Sequence, residues 1–300
     1  MKDSFKSRSK KPNNTGKIVS VVIGVAAIGV VATVFSHQIH GLGAAAKASQ
    51  HPVKKKTVAK PKPLPQQIVL QATPQAQNPQ LPNGAEVTTL SMLLSAVHHP
   101  VSKMVLAKKI AIDPTKEVIK RYKDAAGQNV YQITQWGDPN KGYVGNMYHA
   151  GKGYGVYHGP VLTLLDKIWP KHGVDLTGRS FSTILASVGR RHPVEIWTTL
   201  NFKPATYWIS WQSPAGKITA TPEENAALIV GYNKPAGLIY LDNPGSGTLQ
   251  KVPLKPLEQS WKQLGSQAVS VTATVPLPKP PAKTKHSGKS THHPSSSKHG

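Results

Sequence analysis

Residues 81–94, "LPNGAEVTTLSMLL", join a turn to an amphipathic helix. The Pro-Asn-Gly triplet at 82–84 is typical of a turn. Apolar residues then recur at helical spacing from Val87 to Leu94, which predicts a helix that begins at Ala85. Enzymes that carry a nucleophile at a helix N-terminus have Cys or Ser at such a position. Ala85 is therefore either an ordinary first helical residue or the position of a lost nucleophile.

Cysteine is absent from all 300 residues. Its absence excludes a thiol nucleophile, a thiolate metal site and a disulfide. The formal net charge of +24 is unevenly distributed, since residues 76–275 carry 20 Lys/Arg against 12 Asp/Glu. The two flanks carry 17 Lys/Arg and a single acid, Asp3. The segment 76–275 is thus only mildly basic, and it is long enough to form one folded domain.

The N-terminal flank has the pattern of a membrane anchor. Residues 1–17 are basic, and residues 18–36, "IVSVVIGVAAIGVVATVFS", carry no charge. As a helix this run would rise about 28 Å, close to the roughly 30 Å core of a bilayer. We predict a transmembrane signal-anchor helix, a cytoplasmic N-terminus and a domain on the extracytoplasmic side of the cell membrane. A buried soluble helix is one alternative, and a secreted protein cleaved within "GLGAAAKAS" (41–49) is another.

Two further segments lack the pattern of a folded core. Residues 37–75 are rich in Ala, Lys, Pro and Gln and predict a linker. Residues 276–300 form a basic tail rich in His, Ser and Pro, which predicts disorder. Its four histidines imply no fixed ligand geometry, so we interpret the tail as a solvated cationic segment. We expect no metal and no cofactor.

Residues 76–275 show helical signals first and strand signals afterwards. Further helices are expected at 103–110 and at 161–169, the latter ending before Pro170. The strand-like runs are "PVEIWTTL" (193–200), "ATYWISW" (205–211), "AALIVGY" (226–232), "LIYLD" (238–242) and "QAVSVT" (267–272). This order predicts an α+β domain whose N-terminal helices pack on an antiparallel sheet.

Seven segments in this order resemble one protein family. They are "LPNGAEVTTLSMLL", "GDPNKGYVGN" (137–146), "GYGVYHGPV" (153–161), "RRHPVEIWTT" (190–199), "ENAALIVGYN" (224–233), "LDNPGSG" (241–247) and "WKQLGSQAV" (261–269). The domain resembles the extracellular branch of the bacteriocin-leader-peptidase-like proteins. The resemblance implies a papain-like cysteine-peptidase fold from about residue 77 to residue 271.

The resemblance also implies a catalytic triad that this chain lacks. Relatives of this kind carry Cys at the position of Ala85, His at Asn225, and Asp or Asn at the Asp242–Asn243 step. In that chemistry the helix N-terminus stabilises a thiolate, the imidazole takes its proton, and the third residue orients the imidazole. Alanine has no nucleophilic atom, and asparagine cannot act as a base near neutral pH. We therefore interpret Ala85, Asn225 and Asn243 as degenerate triad positions.

Strand pairing supports this interpretation without reference to any relative. If "AALIVGY" and "LIYLD" form a hairpin around residues 234–235, Asn225 lies opposite residue 243, 244 or 245. Asn225 and Asn243 would then meet at the end of the hairpin remote from its turn, where an Asn–Asn hydrogen bond could replace the base and its orienting residue.

Other residues are weaker candidates for function. Gln77 or Gln80 could occupy the place of an oxyanion-hole donor, although either could be an ordinary loop residue. The domain's histidines, at 98, 99, 149, 158, 172 and 192, do not fall where the hairpin would aim a base at residue 85. The aromatic candidates for a ligand groove are Trp136, Tyr143, Tyr157, Trp197 and Trp208, for which burial in the core is the alternative.

Three hypotheses follow. The first is a membrane-anchored pseudo-peptidase that binds peptide or protein in the cell envelope without cutting it. The second is a structural envelope module whose cationic flanks hold it to anionic polymers or lipid headgroups. The third is an active peptidase family whose thiol is missing in this copy. Nucleic acid is not an expected partner, because the predicted anchor places the domain outside the cell.

Overall fold

The computed structural model describes residues 63–277. The predicted cytoplasmic segment and the apolar run at 18–36 lie outside the described residues, as do residues 278–300 of the predicted tail. Within residues 63–277 there is no helix with the length and apolarity needed to span a bilayer.

The helices begin where the sequence supplies turn or capping residues. Their bounds are Ala85–Ala96 (α1), Lys103–Lys109 (α2), His158–Ile168 (α3), Phe181–Gly189 (α4) and Leu254–Gln263 (α5). The predicted starts of α1 and α2 are confirmed, and α3 begins three residues before the predicted one. The sequence analysis missed α4, although Ser180 caps it by accepting a hydrogen bond from the Thr183 N–H. It also missed α5, which lies between two strands.

Fourteen strands occur in the described residues, most of them short. They are Gln67–Val69 (β1), Ile112–Asp113 (β2), Val118–Lys123 (β3), Asn129–Gln135 (β4), Tyr143–Gly145 (β5), Gly153–Gly155 (β6), Gly173–Asp175 (β7), Val194–Thr199 (β8), Ile209–Ser213 (β9), Gly216–Ala220 (β10), Glu224–Asn233 (β11), Leu238–Asn243 (β12), Thr248–Pro253 (β13) and Ala268–Val271 (β14). Four predicted strands correspond closely to β8, β11, β12 and β14. The predicted strand at 205–211 begins later, at Ile209.

The main sheet has the strand order β13-β12-β11-β8-β14-β7, and β1 pairs with β11 beyond the end of β8. All of these pairs are antiparallel. The folded part therefore begins before residue 76, because β1 lies within the predicted linker at 37–75.

The hairpin of β11 and β12 confirms the predicted pairing. Leu228 lies opposite Asp242 and Ile229 opposite Leu241. Extending this register by three residues places Asn225 opposite residue 245, at the edge of the predicted range of 243 to 245.

Two smaller sheets lie outside the main one. The first has the order β10-β9-β4-β3, and the second has the order β2-β5-β6. The β3–β4 hairpin separates α2 from α3, so the predicted order of helices first and sheet afterwards is too simple. The hairpin was missed because β3 is exposed along its whole length and lacks an alternating apolar pattern.

Helix α1 is the centre of the core. Each of its residues except Ser95 is buried, because α1 packs against α2, α3, β8 and β11. The predicted amphipathic pattern therefore underestimates the burial. The hydroxyl groups of α1 are accommodated in part by backbone carbonyls: Thr88 donates to Gly84 O at 2.7 Å, and Ser91 donates to Val101 O at 2.7 Å.

Truncation of a leucine in α1 tests this central role. Leu94 is fully buried, whereas Leu249 in β13 is 44% exposed. We expect Leu94→Ala to lower the free energy of unfolding by about 2–5 kcal/mol, because it leaves a cavity in the core. The matched change Leu249→Ala should cost about 0.5 kcal/mol or less. Urea unfolding followed by circular dichroism measures both, and equal effects would contradict the central placement of α1.

Candidate functional site

The turn before α1 is built from close backbone contacts. Gly84 N–H donates to Leu81 O at 2.9 Å, and a Cβ on Gly84 would lie only 2.8 Å from Leu81 Cβ. Asn83 Nδ2 donates to Asn146 O at 3.0 Å, and Tyr143 Oη donates to Asn83 O at 2.7 Å. These contacts hold the N-terminus of α1 in one position. Its first residue is Ala85, which is 8% exposed and presents only a methyl group.

Gln77 connects this turn to the end of β12. Its backbone N–H donates to Pro244 O at 2.8 Å, and its side-chain Nε2 donates to Pro82 O at 2.7 Å. The other candidate, Gln80, instead accepts a hydrogen bond from Lys103 Nζ at 3.0 Å. Of the two glutamines, Gln77 is the one whose side chain contacts the turn that leads into Ala85.

Asn225 and Asn243 are both buried, at 3% and 8% exposure. Asn243 Oδ1 accepts the Gly245 N–H at 2.9 Å, and its Nδ2 donates to Gln250 Oε1 at 3.4 Å. Among the described residues no hydrogen bond joins the two asparagine side chains, so the expected Asn–Asn bond does not form. Asn243 instead stabilises the turn that follows its own strand.

The pairing of β11 with β8 determines the direction of the Asn225 side chain. Asn225 lies opposite Thr198, whose hydroxyl bonds the Ser260 hydroxyl of α5 at 2.6 Å. Directly opposite residues in an antiparallel pair project to the same face, so Asn225 lies on the α5 face of the sheet. Glu224, one residue earlier, projects to the other face, which α1 covers.

Glu86 and Glu224 join the segment that contains Ala85 to the segment that contains Asn225, through a shared contact with Gly155. Both carboxylates lie against Gly155, which has a φ of +145°. A Cβ on Gly155 would clash with Glu86 Oε1 and would lie 3.0 Å from Glu224 Oε2. Glu86 directly follows Ala85, and Glu224 directly precedes Asn225. Ala85 and Asn225 therefore each adjoin, in sequence, a residue that contacts Gly155, although their own side chains do not bond.

A third acid, Glu195 on β8, completes a cluster of buried carboxyl groups, which we call the acid cluster (Glu86, Glu195 and Glu224). Glu86 Oε1 accepts the Val156 N–H at 2.7 Å. Both carboxyl oxygens of Glu195, and Oε1 of Glu224, are buried with no hydrogen-bond partner among the described residues. No Lys or Arg forms a salt bridge with any of the three acids in the part of the chain that the structure describes.

Burial controls protonation in the acid cluster. Burial raises the pKa of Glu86 to about 7. It also raises the pKa of Glu195 well above the ordinary range, and the charge of Glu86 adds to the effect. The pKa of Glu224 is raised well above its usual value by burial and by the neighbouring charges of Glu86 and Glu195. We therefore expect these acids to stay protonated to a higher pH in the folded domain than in the unfolded chain.

The sequence analysis missed the acid cluster, although one signal was present. Glu86 interrupts an otherwise apolar helix start, and Glu195 interrupts the apolar strand "PVEIWTTL". A buried acid needs a hydrogen-bond partner or a proton, so an acid inside an apolar segment signals an unusual environment. Their proximity could not be read from the sequence, because they are more than a hundred residues apart.

The five aromatic candidates for a ligand groove divide into two groups. Trp136, Tyr143 and Trp197 are at most 8% exposed, so these rings are core side chains rather than groove side chains. Trp197, for example, donates its indole N–H to Val156 O at 2.8 Å. Tyr157 is half-buried, and Trp208 is 38% exposed. Only these last two remain available to a ligand.

Three of the six described histidine side chains hydrogen-bond to other side chains or backbone carbonyls, and His149 contributes its backbone carbonyl to the turn before Ala85, where it accepts from Asn83 Nδ2 at 2.6 Å. His158 Nδ1 lies 3.1 Å from Gln267 Oε1, and its Nε2 lies 3.8 Å from Asp175 Oδ2. His172 bonds Thr272, and His192 bonds the carbonyl of Ala273. Within residues 63–277 no group of three or more His, Asp or Glu side chains is arranged to hold a metal ion.

A cavity of about 500 Å³ in the described domain is lined by none of Ala85, Asn225 and Asn243. It lies between β4 and the chain that enters β9. Its lining includes the rings of Tyr122, Tyr131, Tyr207 and Trp208.

Comparison with known proteins agrees with the fold. The model of the Peptidase_C39 like family matches residues 69–269. The protein YvpB of Bacillus subtilis (strain 168) is 34% identical over 197 residues, which cover 66% of this chain and 72% of YvpB. A crystal structure titled as a C39-like peptidase from Bacillus anthracis superposes with a TM-score of 0.57 at 32% identity, covering 69% of this chain and 100% of that one.

The acid cluster predicts a pH-dependent stability. The folded-state pKa of Glu86 is about 7 against an ordinary value of 4.5, so the folded state holds more protons between these values. The free energy of unfolding should therefore fall as the pH rises from about 4.5 through 7. Glu86→Gln keeps an acceptor for the Val156 N–H. In this variant we expect the fall in the free energy of unfolding with pH to be smaller by about 3 kcal/mol.

Denaturant unfolding at pH 5 and at pH 8 measures the effect. The matched control Glu117→Gln changes an exposed glutamate and should leave the pH dependence unaltered. An identical pH dependence in the wild type and in Glu86→Gln would show that Glu86 is charged when folded.

Proposed function

This chain belongs to the Peptidase_C39 like family, and we propose that it is a non-catalytic member that binds peptide or protein without cutting it. The observation that carries the proposal is the residue at the start of α1. Active members of the family are cysteine peptidases, and a helix N-terminus favours a thiolate. This chain has the fold and the buried helix, but Ala85 supplies no sulfur.

The chain cannot supply the missing groups from elsewhere. It contains no cysteine at any position. Of the hydroxyls in the first two turns of α1, Thr88 donates to Gly84 O and Ser91 donates to Val101 O, whereas the Thr89 hydroxyl is buried inside the helix with no partner among the described residues. The amide of Asn225 takes up no proton near neutral pH, so it cannot activate a nucleophile.

The scaffold around the lost groups is intact, which supports a retained role for the domain. Gln77 still contacts the turn before Ala85 through its side chain. The turn itself is held by Asn83 and Tyr143. Because Ala85 and Asn225 are both buried, a ligand would bind on an exposed surface of the domain rather than on these two residues.

We further propose that the domain is tethered to the cell membrane on its extracytoplasmic side. The support is the sequence of residues 18–36, which has the length and apolarity of a bilayer span. The basic residues before it favour a cytoplasmic N-terminus. Cleavage after this run would instead release a secreted protein.

The cationic flanks support a second candidate function, attachment to anionic polymers of the cell envelope. The flanks outside residues 76–275 carry 17 Lys/Arg and one acid. Lysines near an anionic surface contribute about 1 kcal/mol each at low salt. The flanks would then hold the domain in place while its folded surface binds a partner.

Replacement of both degenerate residues tests the first proposal. The wild-type protein should leave fluorogenic peptides uncut. We expect Ala85→Cys together with Asn225→His to leave cleavage at the wild-type level, because residue 85 is buried and residue 225 projects to the α5 face rather than towards α1. Cleavage of a peptide library followed by mass spectrometry gives the measurement.

The matched control places a thiol elsewhere on the same helix. Ala96 is 6% exposed at the other end of α1, so Ala96→Cys with Asn225→His adds an equally buried thiol without the helix N-terminus. This control should remain inactive. Cleavage by the wild type that disappears in Asn225→Ala would refute the proposal of a non-catalytic domain.

Deletion of residues 276–300 tests the second candidate function. We expect retention of the full chain on lipoteichoic acid to weaken as NaCl rises from 50 to 300 mM, because salt screens the attraction. Deletion of the tail, which carries five lysines, should lower retention more than tenfold at low salt. Equal retention with and without the tail at every salt concentration would exclude this role for the tail.

A further inference from the structure

The small sheet β10-β9-β4-β3 contains an incomplete junction. β4 and β9 are parallel, and they pair only through Gln135 and Gln212. One further bond, from Trp136 N–H to Gln212 O at 3.0 Å, continues this junction. From Ile133 back to Asn129, β4 pairs only with β3. The two strands therefore separate and leave an opening, which we call the split-sheet groove.

The edge of β4 faces this groove. In a paired strand, alternate residues direct their N–H and C=O groups to opposite sides. Half of the backbone groups of residues 130–133 consequently point away from β3. Among the described strands, these four residues are paired with β3 alone. Free backbone groups of this kind are a template for an additional strand.

Aromatic rings surround the free edge. The groove has a volume of about 500 Å³ and is lined by Tyr122, Tyr131, Tyr207 and Trp208, together with Val130, Gln132, Ile133, Ile209, Ser210 and Pro222. The four rings are between 38% and 64% exposed, which is unusual for large apolar groups. Since an extended residue spans about 3.3 Å, four residues of β4 would match a bound segment of about 13 Å.

Positive charge lies beside the rings. Arg121 Cζ lies 5.6 Å from the centre of the Tyr131 ring, and Lys120 Nζ lies 5.9 Å from that of Tyr122. Residues 116–134 and 203–222 carry six Lys/Arg and two acids, Glu117 and Asp124. Asp124 is engaged in its own turn, where Oδ1 accepts N–H groups of residues 126 and 128. The surface beside the groove is therefore complementary to an anionic partner.

One acid at the end of the groove is also engaged. Glu223 follows the lining residue Pro222, and its Oε1 accepts the N–H groups of Thr206 and Tyr207 at 3.3 Å. The chain's own flanks are poor occupants, since they carry 17 Lys/Arg and one acid. A second copy of β3 would bring Lys120, Arg121 and Lys123 against the same charges.

We propose that the split-sheet groove binds an extended acidic segment of a partner protein, which adds as a strand to the free edge of β4. Backbone hydrogen bonds to residues 130–133 would supply affinity, and the aromatic rings would contact alternate side chains of the segment. Arg121 and Lys120 would pair with its carboxylates. The inference does not depend on the loss of peptidase activity, because Ala85, Asn225 and Asn243 do not line this groove.

The test begins with the full chain and an immobilised heptapeptide library. We expect the recovered peptides to be enriched at least fivefold in Asp and Glu over Lys and Arg, and to lose binding when proline replaces a central residue. Arg121→Glu and Tyr131→Ala should each lower the affinity of a recovered peptide more than tenfold. No acidic enrichment, or unchanged affinity in both variants, would overturn the proposal.

A matched control and a backbone measurement complete the test. Lys251 on β13 places its Nζ 5.7 Å from the centre of the Tyr240 ring on β12. Lys251→Glu therefore makes the same change of charge beside a ring that lies away from the groove. It should leave affinity unchanged. Thermal melting shows whether each variant is folded, and Lys120→Glu is the second groove variant if Arg121→Glu does not fold.

Amide hydrogen exchange separates strand addition from simple charge attraction. A recovered peptide should slow exchange in residues 130–133 at least fivefold, because its backbone pairs with that edge. Heparin, an anionic polysaccharide, should leave this exchange unaltered. Peptide binding without slower exchange in β4, or equal slowing by heparin, would refute the added strand.

Discussion

The burial of the first turn of α1 is the constraint on which this domain depends. That turn carries Glu86, and the same packing buries Glu195 and the Oε1 atom of Glu224 without a salt bridge to Lys or Arg among the described residues. Protonation is the simplest way to avoid the cost of buried charge. Gly155 provides room for two of the carboxyls, and the Val156 backbone bonds both Glu86 and Trp197. One small region thus joins α1, β6, β8 and β11.

This packing explains how catalysis and folding can separate. The acids, Gly155 and the backbone bonds of Val156 hold the elements together without a thiol at residue 85 or an imidazole at residue 225. Catalytic groups often reduce stability, so alanine and asparagine at these positions are compatible with an intact fold. Gln77 also keeps its contacts with Pro82 and Pro244.

The aromatic residues have two distinct roles in the structure. Trp136 and Trp211 form a minor core with Val144 and Ala220, which fastens the small sheet to the rest of the domain. Beyond this core, β4 and β9 separate, and the rings of Tyr131 and Trp208 remain partly exposed. The small sheet is thus packed where β4 and β9 meet and open where they separate. This arrangement leaves room for an extended segment.

The sequence by itself determined the start of α1, the β11–β12 hairpin and its approximate register, because each depends on local periodicity and turn residues. It also determined that Ala85 and Asn225 cannot perform thiol chemistry, since composition alone settles that point. Only the tertiary structure decided that Glu86, Glu195 and Glu224 lie together, that Asn225 faces α5, and that Trp136, Tyr143 and Trp197 are core residues. The same holds for the split-sheet groove. These features arise from contacts between residues far apart in the chain, and burial, unlike periodicity, is a property of the packed molecule.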